Sequence, residues 1–212
     1  MMDDQWRGLD DEIDDHLRAI TEMLGTWARA TRTDVSAYRE AAQNMRRVDD
    51  AVEAGGMFLN PDREWQLAYE RLWVAGFRLV TSAFQMEKWL KAHRAERGLP
   101  HDESQALRTL RNTLEHLDEA HFEWGYARKK DGHKGLPPSI DKLPGGRLLL
   151  GWSREYHERP FGQISIVKID ERARGLVWYD EERECLEFEP SDIDYEIMQD
   201  GYDDGITSYD DE

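Results

Sequence analysis

The chain has 212 residues, with 45 acidic side chains against 28 basic ones and a formal net charge of −17. That length allows one domain with a real core, or one domain and an appendage, and that charge argues against broad coating of nucleic acid, whose phosphates it repels. A lone cysteine, Cys185, excludes an intramolecular disulfide and a multi-cysteine zinc centre.

No apolar run approaches the roughly 18 residues that a membrane span needs. The opening stretch, MMDDQWRGLDDEIDD, is acidic and lacks the apolar core of a secretory signal. A soluble cytoplasmic protein is expected.

In chain order, Ile13, Leu17, Ile20, Leu24 and Trp27 recur at helical spacing and predict an amphipathic helix over about 10–30. A second helix is expected over about 34–54, with Asp34 as its N-cap and AGGMF as its end. Asn60-Pro61 then opens a third, which nothing but Gly76 interrupts before RGLPHDES. It is apolar on most sides, the mark of a central helix.

A fourth helix is expected over about 102–125, where Leu107, Leu110, Leu114, Leu117, His121 and Trp124 form a stripe. On that stripe His121 reads as a core histidine. Short connections between four helices predict an antiparallel bundle over residues 1–125.

Residues 126–146 are rich in Pro, Gly and basic side chains and read as a loop. Beyond them RLLLGWS, QISIVKI, GLVWYD and ECLEFE favour strands by composition, so a small antiparallel β-meander is expected over 147–190, with Cys185 structural within it. Residues 191–212 hold nine acidic side chains and no basic one, which leaves −8 for residues 1–190. This acidic tail has little to bury and is expected to be disordered. The fold class expected is therefore α+β: helical bundle, β-meander, acidic tail.

The fourth helix carries the candidate site. At about 100° per residue, Arg111, Asn112, Glu115 and His116 fall outside the leucine stripe, with Arg111 and His116 about 140° apart. One reading is a solvated face, in which Arg111 and Glu115 form an i,i+4 ion pair worth a few tenths of a kcal/mol. The other follows from a resemblance. Arg111-Asn112-x3-His116 is similar to the Arg-x4–6-His motif of the HEPN superfamily (higher eukaryote and prokaryote nucleotide-binding domains), in which a polar residue commonly follows the arginine and the motif sits on a late helix of a bundle. The resemblance covers about residues 10–125. Arg94 to His101 and Arg128 to His133 share the spacing, but only Arg111 to His116 joins the asparagine to a helical setting.

The resemblance implies metal-independent RNA cleavage across a homodimer interface. His116 would then be the general acid or base for attack by a ribose 2′-hydroxyl. Arg111 would clamp the phosphate and stabilise its developing charge. Asn112 would orient the phosphate or the histidine, and Glu115 would tune His116 or neutralise Arg111. No cofactor is implied.

Arg128, Lys129, Lys130 and Lys134 form a basic island that reads either as a hold on an RNA backbone or as a solvated loop and dock for the acidic tail. His116, Asp118, Glu119 and His121 do not make a metal site, because the two histidines lie five apart rather than four.

Two functions are expected as alternatives. The first is an HEPN-like endoribonuclease, the toxin of a toxin–antitoxin pair or a defence effector, with RNA as substrate and an antitoxin or other protein as partner. The second is a non-catalytic interaction or assembly protein whose acidic tail binds a basic partner or covers a nucleic-acid site. An Arg111–His116 pair exposed in a groove favours the enzyme. A pair spent on neighbouring carboxylates favours the interaction protein.

Overall fold

The computed structural model describes residues 4–56, 60–129 and 139–181. The fold is α+β: four helices and a three-stranded antiparallel sheet. Helix α1 is Asp4–Glu53, α2 is Pro61–Glu96, α3 is Gln105–Glu115 and α4 is Ile166–Glu181. The strands are β1, His121–Glu123, β2, Tyr126–Arg128, and β3, Arg147–Leu149. Among the described residues, no helix is long and apolar enough to cross a membrane.

The two helices expected over 10–30 and 34–54 are one helix of 50 residues, about 75 Å long at 1.5 Å per residue. The ATRTD stretch reads as a break because Thr and Asp favour caps and turns. Here the hydroxyls of Thr31 and Thr33 instead donate to the carbonyls of Trp27 and Arg29, at 2.8 and 3.1 Å. Asp34 is mid-helix and faces Arg78 at 3.8 Å. What carries the helix through is its seam. Leu24, Ala28, Thr31, Val35, Tyr38, Ala42, Met45 and Val48 are all buried, at the three- and four-residue steps of a helix–helix seam.

Helix α2 begins as its sequence predicts. The Asn60 side chain accepts from the Arg63 amide at 3.1 Å, and Pro61 occupies the first turn. It is the central element, contributing Ala68, Leu72 and Leu79 to the core against α1, Val80 and Ala83 to the core under the sheet, and Met86 and Leu90 to the core under α4. Gly76 lets two rings approach α2 closely. A Cβ there would lie 3.4 Å from both Tyr38 and Phe161. Phe161 holds a left-handed backbone, φ 55°, to reach this place, and its ring meets Trp73 edge-on at 5.5 Å.

Residues 163–169 and 175–180, expected as strands, fall largely within α4. Their β-branched content suggested a sheet, but burial decides otherwise. Ile166, Asp170, Ala173 and Val177 recur at steps of four, three and four, and all are buried. Each fully buried Ile or Val contributes roughly 1.5–3 kcal/mol, which outweighs a propensity difference of tenths of a kcal/mol per residue. Asp170 is held by Arg39 of α1 at 2.8 Å and by Arg174 one turn on. The expected strand ECLEFE, with Cys185, and the acidic tail lie outside the described residues.

The sheet lies earlier than expected and crosses both boundaries drawn at 125/126 and 146/147. Its order is β1-β2-β3, a meander, with Phe122 opposite Ala127 and Ala127 opposite Leu148. Ala127 and Leu148 are fully buried against Leu107, Leu110 and Leu114 of α3. The β1–β2 turn is Trp124-Gly125, with φ of 51° and 78°, the positive pair that a type I′ turn requires.

Candidate functional site

Helix α3 starts on Ser104, whose hydroxyl accepts from the Leu107 amide at 3.4 Å. Leu107, Leu110, Thr113 and Leu114 then face the core. The helix ends at Glu115 instead of continuing to 125, and a short 3-10 turn over Leu117–Glu119 leads into β1. Neither Gly nor Pro stops it. Pairing of 121–123 into the sheet competes with the leucine stripe and prevails. His116 is therefore the residue that closes the helix (φ −111°, ψ 26°), not one in mid-helix. His121 is exposed on β1, not a core histidine, and Trp124 is 87% exposed.

The structure brings three of the four expected site residues together. The half-buried Arg111 guanidinium pairs with Glu115 one turn on, donates to Asn112 Oδ1 at 3.1 Å and rides over the Phe84 ring, 4.9 Å from its centre. His116 stands apart from this group. Its Nδ1 lies 3.3 Å from Glu119 Oε1, and the side chain is 54% exposed. No hydrogen bond among the described residues joins it to Arg111, Asn112 or Glu115. Of the basic island, Arg128 faces Glu123 at 3.4 Å and Lys129 faces Asp141 at 2.5 Å. Lys130 and Lys134 lie outside the described residues.

Two polar clusters had no sequence motif to announce them. In the first, Glu87 is buried and forms an ion pair with Arg172 of α4, whose Nη2 donates to Oε2 at 3.1 Å. His101, from the α2–α3 connection, lies beside them with its side chain 5% exposed and its Nε2 3.6 Å from Glu87 Oε2, beyond hydrogen-bond reach. Neither ring nitrogen of His101 has a hydrogen-bond partner among the described protein atoms. Burial, then the positive charges of Arg172, Arg94 and Lys91, hold its pKa below the usual histidine value. Glu103 opposes this without reversing it.

In the second cluster, Asp49 near the end of α1 accepts from the indoles of Trp65 and Trp152, each at 3.2 Å, and from Arg154 Nε at 3.1 Å. Arg154 also reaches Asp50 and Glu53, both at 2.8 Å. Apart from Asp49–Trp65, sixteen positions apart, these contacts join residues about a hundred positions apart and become visible only after folding. Among the described residues, no three His, Cys, Asp or Glu side chains gather as a metal site would require.

No protein-family model matches this chain, and no match is found among curated proteins or solved structures.

Proposed function

We propose that this protein is a non-catalytic interaction protein, in which the helical fold displays an acidic C-terminal segment to a basic partner. The observation that carries this reading is the segregation of charge. Residues 1–179 hold 27 basic and 30 acidic side chains and are nearly balanced, whereas residues 180–212 hold 15 acidic side chains against Arg183 alone. Almost the whole net charge thus follows the last core-forming turn of α4. A field of that density attracts cationic partners and accelerates their encounter.

The state of the α3 motif supports the same reading. Arg111 is spent on Glu115 and Asn112, and His116 on Glu119. To clamp a phosphate, Arg111 would have to give up a carboxylate that it already holds. Titration of the full chain with an arginine-rich peptide tests the proposal. Binding that weakens steeply between 50 and 300 mM salt, about as expected for multiple charge contacts, is the predicted result. Absence of binding at low salt refutes it.

A second reading keeps the motif as an HEPN-like endoribonuclease site completed by a second copy of the chain. One observation favours it: Arg111 and Asn112 lie in the last turns of α3 and His116 closes it, with Arg111 half-buried and His116 exposed. In this reading RNA is the substrate and an antitoxin-like protein the natural partner.

A further inference from the structure

The outward face of the sheet carries a basic row. The register sets His121 opposite Arg128 and Arg128 opposite Arg147. Directly paired residues project to the same face, so these three side chains form one cross-strand row, with strands about 4.8 Å apart. All three residues are exposed. The Arg147 guanidinium lies over Tyr126, 4.3 Å from the ring centre. One carboxylate shares the face, Glu123, which is opposite Tyr126 and pairs with Arg128 at 3.4 Å. Lys142 is exposed just before β3, and at the hairpin tip Trp124 is 87% exposed. Trp124 takes a left-handed turn position, where Asn is the preferred residue.

We propose that this row is the docking surface for the chain's own acidic C-terminal segment, residues 182–212. The inference rests on the proposal that this segment is a binding element, and it names the segment's first partner. Charge complementarity is the main argument: the segment holds 13 acidic side chains against Arg183. Its pattern is the second. Asp192, Asp194 and Glu196 alternate with Ile193 and Tyr195. In an extended chain such acids line one edge at intervals of about 7 Å, with the apolar residues turned toward the other. The acids would meet Arg128 and Arg147, beside the exposed Trp124 of the turn.

Reach is the third. Ile164, just before α4, packs with Ala127 and Leu148 beneath the sheet. The 16 residues of α4 carry the chain about 24 Å from its start. The 11 residues from 181 to 192 span about 36 Å when extended, enough to return. An external basic partner would then compete with the sheet face for the same segment.

The test uses the full chain, with a nitroxide on Cys185, its only cysteine, and backbone amide NMR spectra. The proposal expects signals of residues 121–128 and 147–149 to broaden at low salt, independently of protein concentration, and to recover near 1 M salt, where the screening length is about 3 Å. Arg128→Glu with Arg147→Glu should abolish the broadening. So should Asp192→Asn, Asp194→Asn and Glu196→Gln combined, which leave the sheet untouched. Unbroadened sheet signals at low salt overturn the proposal, even if the arginine-rich peptide still binds. Broadening seen only between a labelled and an unlabelled copy overturns it too, in favour of docking between molecules. If the sheet signals instead respond to single-stranded RNA and not to the nitroxide, the face is a nucleic-acid surface and the proposal fails.

Discussion

Arg111 within α3 and His116 at its end turn toward different carboxylates: Arg111 pairs with Glu115 within the helix, and His116 with Glu119 beyond it. The arginine is the more deeply placed of the two, stacked on Phe84 of α2. Arg111→Ala should lower stability by about 1 kcal/mol, the sum of a modest ion pair and a cation–π contact. His116→Ala should change it by less than about 0.5 kcal/mol, as for an exposed position. Urea unfolding of the two variants checks this, and equal losses would contradict the assigned packing.

Asp49 should be a costly residue to lose. Asp49→Ala leaves the indole N–H groups of Trp65 and Trp152 without their acceptor and deprives Arg154 of one of its three carboxylates. A fully buried unpaired donor costs about 1–3 kcal/mol, and these two are only part-buried, so a loss of about 1–2 kcal/mol is expected in denaturant unfolding. A variant as stable as the parent would show that these bonds contribute little.

Gly76→Leu should destabilise the fold by about 1–3 kcal/mol, the usual cost of overfilling a packed site, because Tyr38 and Phe161 already occupy the space beside it. Thermal unfolding reads the loss. Phe161→Ala in the Gly76→Leu background should restore part of it if the clash is with that ring.

How much of this was legible in the sequence differs by element. Asn60-Pro61 announced the start of α2 through a local interaction, and the same interaction forms. The continuity of α1 through Thr31 and Asp34 was hidden, since local preference there favours a break and only the seam against α2 overrules it. Helix α4 had its signal in the spacing of Ile166, Asp170, Ala173 and Val177, masked by β-branched composition and by a charged residue at a buried position. Of the candidate site, the Arg111–Glu115 pair was legible from i,i+4 geometry. That His116 ends the helix was not, because distant strand pairing ends α3. The row His121–Arg128–Arg147 depends on register, which no single segment encodes.

Acid should weaken the fold through His101. Its folded pKa lies below the unfolded value of about 6.5. Below that pH the unfolded chain binds a proton that the folded chain resists, so stability falls as pH drops from about 6.5 toward the folded pKa. Above that window the histidine is neutral in both states and contributes no slope. Denaturant unfolding at pH 7.5 and 5.0 should show a larger loss for the parent than for His101→Gln. Identical pH dependence in the two would contradict the placement of His101 in a dry site among Arg172, Arg94 and Lys91.

The central claim is that the acidic segment, and not the α3 motif, is the working part of this protein. Incubating the purified full chain with total RNA in EDTA, beside folded His116→Ala, tests that claim most directly. The account predicts that neither protein cuts RNA above the no-protein background. Cleavage by the parent that disappears in His116→Ala would contradict it and establish the endoribonuclease reading.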